Sequence, residues 1–493
     1  MSKSVKNLLV IGIFVISMVL VLLLLVVTQP KEDSGENDTV VDTSVALVSY
    51  ERDRIDNFKV TTQDGEYTVK QGVKEFTVEE LEGLKVNSTV LGAAGNCITS
   101  VKGVELVEEN AADLAKYSLA DDKYVSKVDV TLKDGTKYTV YFGIYTPDGE
   151  HIYVRMGDSK DVYTALANST RYFTYVKEDY ISTIILPELT QDNWAPTIDL
   201  LTIKRKDLSY DIVFEDDTKN YAADDISMAS SQVMISPVYA YLDITNSNDV
   251  IYGLWGLTAV QAEVAFPTQA DFEEYGLADP FCEVVLNAEL QNYVLKIGNV
   301  ASYEKDELGN DTTTPAYFYG YFEGIDVIFM FSAGDLPWAT FMPIDVLSTM
   351  MTSNYIYTLD YIDVEMHDGE DAEYYFDVDA SVDDTTLSGT LNGSPFDAES
   401  FKILYQFMLK CPIDSLCLDE VAEDAKLLAR IDFRREDGGG DVLEFYDDTT
   451  NRVIIKLNGT TSFSQPKSYL DVLHQNIKTF AAGGTGDELQ KVW

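Results

Sequence analysis

Two hydrophobic patterns divide this chain. From Leu8 to Val27, "LLVIGIFVISMVLVLLLLVV", twenty residues pass without a charge, and a helix of that length spans roughly 30 Å, the thickness of a bilayer's hydrocarbon core. Beyond residue 45 the apolar positions instead alternate, the period of a strand with one face buried. "IDNFKVTTQDGEYTVK" (55–70) holds two such runs around Asp64-Gly65, a pair suited to a tight hairpin turn. The design recurs in "IDLLTIKRKDLSYDIVF" (198–214) and "YIDVEMHDGEDAEYYFDV" (361–378). A helix-compatible segment follows each hairpin: "CITSVKGVELVEEN" (97–110), "IYGLWGLTAVQAEVAF" (251–266) and "DAESFKILYQFMLK" (397–410).

A short motif then appears twice, as "DLAKYSLADD" (113–122) and "DFEEYGLADP" (271–280). In the second copy Asp271 can cap a helical turn, Phe272 and Tyr275 share a face, and Gly276 supplies the left-handed residue that ends it before Pro280. The first copy has Ser118 in place of that glycine, so its turn is expected to be less well formed. Strands follow both copies: 126–143 and 151–166 in the first, 282–298 and 316–331 in the second, where "NVASYEKDELGNDTTTP" (299–315) reads as an insertion. The third region lacks the Tyr-Gly-Leu turn but repeats the strands at 428–448 and 452–473.

The pattern predicts an α+β protein: an N-terminal transmembrane helix, then three tandem modules of antiparallel sheet with packed helices, since hairpins dominate and no β-α-β rhythm appears. The expected divisions are a cytoplasmic tip and anchor at 1–30, a polar tether at 31–44, modules at 45–197, 198–360 and 361–482, the third abbreviated, and a fraying tail at 483–493.

Charge sets the orientation. Lys3 and Lys6 precede the apolar run and Glu32, Asp33, Glu36 and Asp38 follow it, which puts the N-terminus in the cytoplasm and the rest outside a single-pass membrane protein. A cleaved signal peptide is the alternative; its apolar core would be about 7 to 15 residues, and "VVTQPKEDSG" offers no A-x-A-like cleavage site. No small-xxx-small pattern stronger than Gly12 and Ile16 marks a helix-pairing face. A formal charge of −47, from 83 acidic and 36 basic residues, argues against nucleic acid and anionic lipid as partners and reads as a solvated surface. Calcium is the one cofactor the acidic stretches 215–225 and 377–384 leave open, although neither carries the D-x-[DN]-x-[DN]-G loop. Cys97, Cys282, Cys411 and Cys417 are too few for a disulfide framework, and whether Cys411 and Cys417 pair stays open. His151, His367 and His474 lie far apart and read as surface or packing residues, not metal ligands.

The segments "ADLAKYSL", "VSKVDVTLKDGTKYTVYFG" and "HIYVRMGDSKDVYTAL", with their partners "DFEEYGLADP", "YVLKIG" and "AYFYGYFEGIDVIFMF" and the N-terminal anchor, resemble the bacterial family called domain of unknown function 4340. The resemblance covers roughly residues 45–480; Ser118, the acidic insertion after Gly298 and the missing third turn depart from the family's pattern. It implies an envelope protein of the bacterial cell membrane working with an ABC transporter of the gliding-motility type, its partners a permease and auxiliary subunits. It implies no catalytic residues.

No G-x-S-x-G, H-E-x-x-H, Walker or G-x-G-x-x-G motif occurs. Ser-x-x-Lys occurs at Ser302 to Lys305 and Ser464 to Lys467 without its S-D-N or K-T-G companions, and 83 acids offer no way to choose a catalytic pair. No catalytic, cofactor-binding or metal residue is therefore assigned. The aromatic strand "YFYGYFEG" (317–324) should place Tyr317, Tyr319 and Tyr321 on one face and Phe318, Gly320 and Phe322 on the other. With Trp255 in "YGLWGL", those tyrosines are the candidate partner or ligand surface, against the plainer reading of ordinary strand and core packing. The expected role is a non-catalytic, membrane-anchored accessory or scaffolding subunit of a transporter. An extracellular module binding glycan, peptide or lipid is the main rival, and a cell-envelope hydrolase the weaker one.

Overall fold

A computed structural model describes residues 44–190, 196–217, 230–367, 369, 371–382, 385–410, 413 and 415–491. The run Leu8–Val27, with Lys3 and Lys6, lies outside the described residues. Among those described, no helix is long and apolar enough to cross a membrane.

Antiparallel sheets dominate, in three main sheets of eight, nine and nine strands. All three are built to one plan. A meander runs outward from a first strand, Ile55–Thr62, Ile198–Arg205 or Leu359–Met366. A helix follows, at Ser88–Thr99, Ile244–Tyr252 or Ala398–Leu409. The chain then forms the far edge of the sheet (Glu105–Glu108, Gln261–Ala265 or Ser415–Leu416). It finally returns to the centre, where Ser126–Leu132, Cys282–Ala288 or Leu427–Arg435 pairs with the first strand and a second meander runs back to the edge. Phe58 faces Val130, Leu201 faces Leu286 and Ile362 faces Phe433, and the same bulge follows Ile55, Ile198 and Leu359.

Alternation explains the pairing: every second residue of 126–132 and of 282–288 is buried, so a one-residue slip would turn the whole apolar set to water. The helices start at side-chain caps, with Asn87 accepting from the Val90 N–H, Asp243 from Thr245 and Asn246, and Asp397 from Ser400.

Five expectations need correction. In the first two units the helix precedes the segment predicted for it, and 105–108 and 261–265 are edge strands. Gly253 and Gly256, the latter with φ +86°, interrupt helical continuation in the second. The segment 299–315 is no separate insertion. It extends strands Gln291–Lys305 and Asp311–Phe322 into a long hairpin arm whose turn is closed by Asp306 accepting from Leu308 and Asn310. The third unit is not abbreviated, for its sheet has nine strands and helix Ser468–Ala481 adds Phe480 to the Phe376, Phe396 and Phe401 cluster. The tail does not fray through residue 490: Leu489 is buried, Gly486 N–H donates to Ser400 Oγ at 2.9 Å, and Asn476 exchanges hydrogen bonds with Gln490.

The fifth concerns Ser118. It adopts φ +53° and its turn closes as the glycine-bearing one does, Leu119 N–H donating to Leu114 O at 3.0 Å where Leu277 N–H donates to Phe272 O at 2.7 Å. What both turns share is the surface they rest on. A Cβ on Gly143 or Gly298 would penetrate the carbonyl oxygen of Tyr117 or Tyr275, so a glycine within each strand, Lys137–Tyr145 and Gln291–Lys305, lets the turn lie directly on the sheet. Gly298→Ala should therefore cost about 3 kcal/mol by forcing the turn off its strand, whereas Ser118→Gly should be neutral or stabilising by up to about 1 kcal/mol. Urea denaturation of both variants checks the pair.

Candidate functional site

The tyrosine row lies as the alternation predicts, with Phe318, Gly320 and Phe322 buried and Tyr317, Tyr319 and Tyr321 half-buried on the other face. Two of the three are already engaged. Tyr319 packs edge-on against Tyr275 with centroids 4.6 Å apart, and Tyr321 against Phe272 at 4.8 Å. The first unit repeats the contact as Tyr117 on Tyr153 at 4.8 Å. These rings clamp the Tyr-Gly-Leu turn to the sheet, a packing role typically contributing about 0.5–1.5 kcal/mol per pair. Tyr317 stands beyond the clamp, beside the base of the hairpin arm.

Trp255 is not part of that row. Its neighbour Tyr293 (centroids 5.7 Å apart) in turn touches the buried-face residue Phe322, so the indole belongs to the opposite, helix-bearing side of the sheet. There it helps line a cleft of about 410 Å³ into which four chain segments bring Glu188, Asp249, Gly256 and Asp335. Gly256 fits closely: a Cβ there would come within 3.0 Å of Glu188 Cγ. The nearby Trp338 is fully buried and donates from Nε1 to Val250 O at 2.8 Å, a purely internal role.

This cleft sits at a joint. The chain enters each unit beside the end of that unit's first helix: Tyr50 N–H donates to Thr99 O at 2.8 Å, Ile185 to Leu257 O at 3.0 Å, and Met351 to Leu409 O at 3.0 Å. It leaves the first two units over the start of the same helix, Asn87 N–H donating to Tyr180 O at 2.8 Å and Asp243 N–H to Val346 O at 3.0 Å.

One position recurs in all three sheets and in the first and third faces the entering segment. It is the residue opposite Val130, Leu286 or Phe433 on the next strand: Tyr138, Tyr293 or Asp441. Tyr138 stacks on Tyr50, and Tyr293 meets Trp255. Asp441 is wholly buried. Its Oδ1 accepts from Tyr241 Oη of the second unit at 2.6 Å and from Asn458 Nδ2 at 2.8 Å, and its Oδ2 accepts from Asn354 Nδ2 at 2.9 Å. Tyr405 Oη donates to the Asn354 carbonyl at 2.7 Å. Burial pushes the Asp441 carboxyl above the usual carboxylate range, opposed by these donors and by the nearby Arg435 charge. The second and third units are thus pinned through one buried acid.

The thiols lie in environments that hold them protonated. Cys282 donates to Trp338 O at 3.6 Å and burial pushes its pKa up to about 12; burial also raises Cys97 and Cys417. Cys417 is a free thiol, and Cys411 lies outside the described residues. His474 is buried against Tyr374, and His367 is flanked by Glu365 and Asp371. Of the acidic stretches suggested for calcium, 218–225 and 383–384 also lie outside the described residues.

The first copy of the turn, glycine and clamped tyrosine falls in a stretch that a family model also picks out. Residues 60–232 match the domain of unknown function DUF4340. The matched segment holds most of the first unit, including the Ser118 turn and Gly143, and the opening strands of the second. No curated protein and no solved structure matches the chain.

Neither Asp441 nor the carboxylates of the cleft were distinguishable in the sequence among 83 acids, because their partners come from segments far apart along the chain. The one available signal was the internal repeat, which superposes Asp441 on two tyrosines. Asp441→Asn should lower stability by about 3 kcal/mol, since one amide N–H must then oppose a donor in a buried site. Tyr241→Phe should cost about 1–2 kcal/mol. Equilibrium denaturation of the two variants measures both.

Proposed function

We propose that this protein is a membrane-anchored, extracytoplasmic accessory or scaffolding subunit of an ABC-transporter assembly, without catalysis of its own. The observation that carries the reading is the DUF4340 match over residues 60–232, in a chain whose Leu8–Val27 run and flanking Lys3 and Lys6 have the form of an N-in single-pass anchor. Two further features support it. Three like units are chained through extensive joints, the second sealed by the buried Tyr241 to Asp441 hydrogen bond, as suits a part that holds others in place. The net charge of −47 suits a solvated ectodomain whose partner is protein.

In this reading the anchor positions the ectodomain beside the permease, and the units present their outer surfaces to auxiliary subunits. Purification of the full-length protein from its native membranes in mild detergent, with co-purifying proteins identified by mass spectrometry, tests it. Recovery of a permease and its ATPase is the expected result. Recovery of nothing above background would sink the reading as a stable complex.

A further inference from the structure

We propose that the edge of the first sheet, strand Glu105–Glu108, is the docking site for the end of this chain's own tether, residues 39–43. The inference goes beyond the transporter reading and does not depend on it. It starts from a comparison of two sheet edges within the chain. Glu105–Glu108 and Gln261–Ala265 are the last strands of the first and second sheets among the described residues. They hold the same place in the plan, for Val104 N–H donates to Thr164 O at 2.7 Å just before the one, and Val260 N–H to Met330 O at 2.8 Å just before the other. Ala262 therefore corresponds to Leu106. Ala262 is buried, and the turn Lys177–Tyr180 of the chain entering that unit packs along its strand. Leu106 and Val107 are instead 46% and 37% exposed. An edge strand that carries apolar side chains is a template for wrong pairing, and folded proteins cover such edges.

The pairing at the entry to the first unit points to the occupant. Val45 and Ala46 lie antiparallel to Gly103 and Lys102, so the chain traced back from Val45 heads along Glu105–Glu108. The second unit has the corresponding contact, Ala259 N–H donating to Thr183 O at 2.8 Å. Residues 39–42 stand as far before Val45 as Lys177–Tyr180 stand before Thr183. They lie outside the described residues, and their sequence has the chemistry the edge needs. Between Lys31 and Thr43, Val40 and Val41 are the only hydrophobic residues, with β-branched Thr39 and Thr43 beside them. Such residues suit packing on a strand, and two valines against Leu106 and Val107 take apolar surface out of water. Asp42 meets no bare charge at Glu108, which Lys116 Nζ and Tyr117 Oη already hold at 2.6 and 2.9 Å. With Leu8–Val27 as the anchor, docking shortens the span between anchor and fold to residues 28–38. That is at most about 40 Å of chain, which keeps the first unit close to the membrane surface.

The test is hydrogen–deuterium exchange, read by mass spectrometry, on the full-length protein in detergent micelles. Wild type is compared with the double variant Val40→Ser/Val41→Ser and with Leu106→Lys. Amides of 104–109 should exchange at least about tenfold more slowly in wild type than in the double variant. Strands Ser126–Leu132 and Cys282–Ala288 should exchange alike in both, which shows that the sheets are intact. Leu106→Lys should speed exchange across 39–43 by a similar factor, since it removes the surface on which they rest. Equal exchange at 104–109 in wild type and the double variant would overturn the proposal. So would protection of 104–109 that rises with protein concentration, which would assign the edge to a second copy. Since no transporter component enters the measurement, its failure and the failure of co-purification are distinguishable.

Discussion

The constraint on which the rest of this structure depends is the pairing of each unit's first strand with a strand that the chain reaches only after a meander, a helix and an edge strand. Phe58 with Val130, Leu201 with Leu286 and Ile362 with Phe433 are central pairs of their sheets, and each brings together segments more than seventy residues apart. Long-range pairings of this kind carry a loop-closure cost before any contact rewards them. The cost is met by alternating apolar residues that are buried only in one register. Once the central pair forms, both meanders, the helix and the far edge have one place to go, and the entering and leaving segments flank opposite ends of that helix.

From this plan follows the position that varies between units. Tyr138, Tyr293 and Asp441 occupy the same point of the three sheets, which in the first and third lies under the segment that enters the unit. A tyrosine there can be covered by another aromatic ring, as Tyr50 covers Tyr138. An aspartate cannot be covered by apolar atoms without losing its solvation, so it draws Tyr241, Asn354 and Asn458 around it. One substitution at a repeated position thus separates a sealed joint from one with a cleft.

Some of the candidate surface was legible in the sequence and some was not. Strand periodicity put Tyr317, Tyr319 and Tyr321 on one face, and that face is the one observed. Periodicity could not say that Phe272 and Tyr275 would lie across two of them, because the contact depends on a turn folding back over the sheet at Gly298. Trp255, the other candidate for that surface, lies on the opposite side of the sheet. Helix placement failed for a local reason: "VKGVELVEEN" and "TAVQAEVAF" have enough apolar residues to suit either a helix or an edge strand, and only the pairings of 105–108 with 162–164 and of 261–265 with 327–330 decide.

By itself, then, the sequence determined the elements whose signal is local. These are the hairpin at Asp64-Gly65, the helix within 397–410, the recurrence of one design three times, and the acidic character of everything beyond the apolar N-terminal run. Side-chain period, turn chemistry and net charge are properties of neighbouring residues, so they can be read without a fold. The tertiary structure decided the full size of the third unit, the docking of the tail through Leu489, the equivalence of Asp441 with two tyrosines, and the cleft beside Trp255. Each of these joins segments tens of residues or more apart along the chain, and the energy that makes the junction comes from desolvation and packing at a place that exists only once the sheets have formed.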